Sequence, residues 1–136
     1  MLTQKQVNDL AYKIVGCAIV VHNYFGPGLL ESVYEECFID ELKNKGMNVI
    51  SQLEIPLEYK GKKLRNNLRI DLLVNDLIIV EIKAVENILP IHKAQLLTYL
   101  KLLNKPKGLL INFNSENITS SMVPLVTEEF MKLLKE

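Results

Sequence analysis

The hydrophobic period of this chain changes once, from helical spacing over residues 7 to 42 to strict alternation from Asn48 onward, and that change sets the class of fold. Val7, Leu10, Ala11, Ile14, Val15, Ala18 and Ile19 recur at helical intervals behind Thr3 and Gln6, a capping-box spacing, so the chain opens with a helix. Gly26-Pro27-Gly28 breaks it. Leu30, Val33, Tyr34, Cys37, Phe38 and Leu42 then mark one face of a second helix ending near Gly46, with Tyr34 as a core aromatic. Beyond Asn48, Ser51, Leu53, Ile55, Leu57 and Tyr59 alternate with polar residues, and Lys60-Gly61 supplies a turn.

The next strand, Lys63 to Val74, is expected to place Leu64, Leu68, Ile70, Leu72 and Val74 on one face and Arg65, Asn67, Arg69 and Asp71 on the other. Asn75-Asp76 turns the chain into a third strand, Leu77 to Lys83, which completes an antiparallel meander. Pro90 suits the first position of a helix that runs to Leu103 and stops at Lys105-Pro106. Gly108 to Phe113 is a fourth strand, expected parallel to a central one through a helical crossover. Val123 to Leu134 reads as a terminal amphipathic helix. The order ααβββαβα, without repeat or linker, predicts one mixed α/β domain over residues 1–136, with about four strands in a central mixed sheet flanked by helices.

Composition narrows the function classes. Sixteen Lys plus Arg balance sixteen Asp plus Glu, so any nucleic-acid site must be local rather than a property of the whole surface. Ile14 to Leu30 lacks Asp, Glu, Lys and Arg, but His22, Asn23 and the Gly-Pro-Gly turn interrupt it short of the roughly 20 residues that a membrane span needs. With no signal-peptide pattern at Met1 to Gln6 either, a cytoplasmic location is expected and no membrane partner. Cys17 and Cys37 are too few for a four-cysteine metal or iron–sulfur site.

The chemistry concentrates on the meander. Glu81 and Lys83, two apart, project from one face of a strongly apolar strand, and Asp71 lies on its neighbour. Were Asp71 opposite Glu81, two carboxylates would converge beside a lysine, an arrangement suited to a hard divalent cation and a phosphate oxygen. That register requires a three-residue connection, Asn75-Asp76-Leu77 with Val74 opposite Ile78, or a bulge. A two-residue Asn75-Asp76 turn would slip it by one and send the carboxylates to opposite faces. The same three residues also read as a cross-strand ion pair on a solvated face.

These residues carry a resemblance. Asp71 followed by Glu81-Ile82-Lys83 resembles the D-x(n)-E-x-K signature of the PD-(D/E)XK nuclease superfamily, and Gln95 and Tyr99 resemble the Q-x-x-x-Y motif of its RecB-type members. Gly28-Leu29-Leu30-Glu31-Ser32-Val33-Tyr34 resembles the motif that names the GxxExxY group within it. Ile70 replaces the proline that precedes the motif aspartate. The resemblance implies a restriction-endonuclease-like core and a nuclease, with Mg²⁺ or Mn²⁺ held by Asp71, Glu81 and the carbonyl of Ile82, and Glu31 near the metal through water. It gives Lys83 the attacking water and the phosphoryl charge, and Gln95 and Tyr99 the orientation of the site. The partner implied is nucleic acid, DNA ahead of RNA, and a small nuclease cutting two strands is often a homodimer. Arg65 and Arg69 are expected on the strand face of Asp71, where a phosphate backbone would pass, with His92 lining the site. The competing class is a nucleic-acid- or protein-binding module that keeps the fold without turnover. A non-nucleic phosphoesterase is disfavoured because no Gly-rich phosphate loop is present.

Overall fold

The structure, a computed structural model, describes all residues from Met1 to Glu136. Thr3 caps the first helix as its spacing requires. Its Oγ1 accepts the Gln6 N–H at 3.1 Å, and Gln6 Oε1 accepts the Thr3 N–H at 2.9 Å. Behind this cap, α1 (Gln4–Phe25) packs against α2 (Glu31–Asn44). No helix is long and apolar enough to cross a membrane.

The strands β1 (Val49–Tyr59), β2 (Lys62–Val74) and β3 (Ile78–Lys83) form the expected antiparallel meander. Then α3 (Pro90–Leu103) crosses over to β4 (Lys107–Asn112), which lies parallel to β3. Gly108 permits that close packing, because a Cβ there would meet Leu96 Cδ1 and Leu100 Cδ1 at 3.0 Å. Two short helices, α4 (Ile118–Ser121) and α5 (Glu128–Met131), flank a fifth strand, β5 (Val123–Val126). The sheet order is β1-β2-β3-β4-β5.

The fifth strand corrects the expected terminal helix and the expected count of about four strands. Apolar residues at Val123, Val126, Phe130 and Leu134 mimic a helical stripe, yet Pro124 disfavours helix at Val123 and lacks an N–H. An edge strand tolerates that loss, and β5 pairs antiparallel with the outer side of β4. Helix survives only after Thr127.

Two apolar clusters hold the sheet. The larger gathers Val7, Ile14, Phe38, Leu72, Val80 and Ile111 under α1 and α2, and the smaller sets Ile70, Leu73, Ile79 and Leu110 against Leu96 and Leu100 of α3. Each fully buried Leu or Ile contributes about 1.5–3 kcal/mol. Ile70 and Leu72 therefore face opposite sides, contrary to the single face expected for them. The register explains it. The β1–β2 ladder pairs Ser51 with Leu72 and Leu53 with Ile70 but skips Gln52 and Asp71, and Gln52 sits at φ 51°, in left-handed backbone. Strand alternation breaks at that level and the faces exchange.

Candidate active site

The same break builds the site. Val74 pairs with Ile78 through a three-residue connection whose Asn75 and Asp76 both take positive φ, so the register follows the expectation that aligns Asp71 with Glu81. Backbone pairing of β2 with β3 ends at Leu72–Val80, while β3 stays paired with β4 as far as Lys83. In the opening, side chains replace the ladder. Asp71 Oδ2 accepts the N–H of Ile82 at 2.8 Å, and Glu81 Oε1 accepts the N–H of Asp71 at a longer 3.3 Å. A residue in a strand turns its N–H and C=O to the same edge, so the Ile82 carbonyl also faces the Asp71 side.

Glu81 is 8% exposed, and burial is the main force pushing its carboxyl up to about 8, followed by the Asp71 charge and a hydrogen bond between the two carboxyl groups. Lys83 and the Asp71 backbone pull the other way. From α2, Glu31 is raised by removal from water and by Asp71 and Glu35, against Lys83 and the N–H of Ala84. Glu35 is raised by burial and by Asp71, although Gln52 Nε2 donates to it at 2.7 Å. Three glutamates and one aspartate thus crowd a single lysine. Glu35 escaped the sequence reading, although its place one turn after Glu31 on the same helical face was a usable signal.

Glu31 is set by a turn that Tyr34 closes. Gly28 takes φ 109°, a conformation side chains resist, and the Tyr34 hydroxyl accepts the Leu29 N–H at 3.1 Å while donating to the Gly26 carbonyl. The ring is fully buried and stacked on Phe113, with centroids 4.8 Å apart. Gly28 and Tyr34 therefore fix where α2 starts, and Glu31 is its first residue. Tyr34→Phe is expected to destabilise the fold by about 1–2 kcal/mol in urea unfolding, because two backbone groups lose their partner.

On α3, Tyr99 is raised by burial and by the carboxylates of Glu81 and Asp71, with a Gln95 hydrogen bond opposing, so this pair reaches the dyad. His92 has a structural contact at the start of the same helix. Its Nδ1 accepts the Leu89 N–H at 3.0 Å and caps α3. The arginines sit apart from the dyad. Arg69 pairs with Glu54 at 3.2 Å, Arg65 lies six residues along β2 from Asp71, and the charges acting on Glu31 and Glu81 include neither. Strand alternation does not carry through Asp71, so parity with it does not put them beside it.

The donors are hard oxygens throughout, the set that Mg²⁺ or Mn²⁺ takes. No three His, Cys, Asp or Glu side chains gather tightly enough to enclose a metal ion. Two converging carboxylates at the end of the β2–β3 ladder, Asp71 half-buried and Glu81 buried, instead suit a cation that keeps several waters, as Mg²⁺ does. In the same place, the crowded acids lack a neutralising charge that such an ion would supply.

A mixed five-stranded sheet flanked by helices, opened between β2 and β3 around an acidic pair and a lysine, is a restriction-endonuclease-like arrangement. Residues 8–123 match the family model described as PD-(D/E)XK nuclease superfamily, and the chain belongs to that superfamily. No curated protein and no solved structure matches it.

Proposed function

We propose that the chain is a cytoplasmic, divalent-metal-dependent nuclease of the GxxExxY group that hydrolyses phosphodiester bonds at the opening between β2 and β3. The supporting observation is the reciprocal engagement of Asp71 and Glu81 at the end of the β2–β3 ladder, with Lys83 on the same strand. Asp71, Glu81 and the Ile82 carbonyl would hold Mg²⁺ or Mn²⁺, with Glu31 completing the shell through water. A divalent cation there would neutralise the dyad, polarise a phosphoryl oxygen and acidify a water molecule.

The chain's own groups do the rest. Lys83 holds the attacking water and offsets charge growing on the phosphoryl oxygens. Gln95 steadies the Tyr99 hydroxyl, which orients the substrate next to the dyad. Glu35 and Gln52 brace the acidic side, since Gln52 sits where β1 skips its partner. The substrate is nucleic acid, DNA ahead of RNA. Its backbone runs along the exposed β1–β2 hairpin, where Lys60, Lys62, Lys63 and Arg65 lie, with Arg69 nearer the opening and His92 at the start of α3. A panel of single- and double-stranded DNA and RNA with Mg²⁺ tests this. Wild type is expected to cut at least one member, and Lys83→Ala to fall to background. Binding without cleavage by both would make the chain a binding module instead.

A further inference from the structure

The exposed side of α1 carries a feature that the catalytic reading does not use. Tyr12, Gly16, Val20 and Tyr24 stand four residues apart and form one ridge inclined to the helix axis. All four face solvent, the two tyrosines at 82% exposure and Val20 at 48%. Gly16 lies mid-helix, where glycine is the poorest former after proline. Nothing in the chain accounts for it, because a Cβ there would meet no atom within 4 Å and its φ is not in the left-handed range.

We propose that α1 is the interface of a homodimer, with the α1 helices antiparallel about a two-fold axis between Gly16 and Val20. That axis places Val20 of each copy over Gly16 of the other and Tyr12 beside the other copy's Tyr24, so the stripe is complementary to itself. The groove between α1 and α2 has the matching charge. One end, about 420 Å³, is lined by Lys13 and Lys45, and the other, about 250 Å³, by Asp40 and Glu41, and the two meet at Val20. A two-fold axis there lays the basic end of one copy on the acidic end of the other. The site stays clear, since it opens between β2 and β3.

Sedimentation velocity over a range of concentrations tests the pairing. Wild type is expected to dimerise. Gly16→Val puts valine against valine and is expected to weaken the dimer at least about tenfold. The swap Gly16→Val with Val20→Gly restores one valine over one glycine and is expected to recover it. Should the valine variant fail to fold, Asp40→Lys is expected to weaken association and Asp40→Lys with Lys13→Glu to recover part of it. A wild type that stays monomeric overturns the proposal, as does a Gly16→Val protein that dimerises like wild type, a swap no stronger than the single variant, or a charge reversal without effect.

Discussion

Glu81→Gln is expected to make the metal-free protein more stable than wild type at pH 8, by on the order of 1–3 kcal/mol. The folded Glu81 carboxyl titrates near 8 against 4.5 when free. Between those values the folded state holds the extra proton, so wild-type stability is fully present below about pH 4.5, falls as pH rises toward 8, and levels off above it. The groups facing Glu81 set the size of this slope. Asp71 from β2 raises its pKa and Lys83 from β3 lowers it, while Tyr99 from α3 feels Glu81 and Asp71 together, and Glu31 and Glu35 from α2 feel Asp71. Glu31 and Glu35 are raised too, so their titration adds to the decline. Glutamine removes the largest contribution. Urea unfolding in EDTA at pH 5 and pH 8 should show a steep loss for wild type and a shallow one for the variant.

Asp71→Asn is expected to lower kcat/KM at least about 10²–10³-fold while leaving the fold intact or slightly firmer. An asparagine oxygen can still accept the Ile82 N–H that Asp71 holds at 2.8 Å, so the local backbone keeps its partner. The negative charge is lost, and with it the repulsion that raises Glu81 and the charge that the proposed cation would need. Activity and stability then move in opposite directions, as expected where like charges are gathered for function. Glu54→Gln supplies the contrast. Its pairing with Arg69 is exposed on both sides and should change stability by less than about 1 kcal/mol and activity hardly at all.

Much of this is legible in the sequence. The capping box of Thr3 and Gln6 and the helical stripe of α1 follow from side-chain period and local hydrogen bonding, and both formed; β1 formed as a strand, but its alternation is interrupted at Gln52. The register of Asp71 and Glu81 was legible because the carboxylates converge only with a three-residue connection or a bulge, and the three-residue connection is the one found. What was hidden is conformational. Gln52 adopts a left-handed φ that its residue type does not advertise, so the exchange of faces at Asp71, and the displacement of Arg65 and Arg69 from it, could not be read from alternation. In the same way, Val123 to Leu134 carries a helical stripe that Pro124 and the free edge of β4 override. His92 shares a helix face with Gln95 and Tyr99, and its Nδ1 contact with the Leu89 N–H at the helix start is a local geometry that residue type alone does not reveal.

The central claim is that Asp71 and Glu81 hold a divalent cation, and calorimetric titration of Mn²⁺ and Mg²⁺ into wild type and Asp71→Asn at pH 7 tests it most directly. Because Glu81 titrates near 8, binding to wild type should occur at one site and release close to one proton, seen as a heat that changes with the ionisation enthalpy of the buffer. Asp71→Asn should bind at least about tenfold more weakly. Absence of binding to wild type, or equal binding by the variant, would contradict the account.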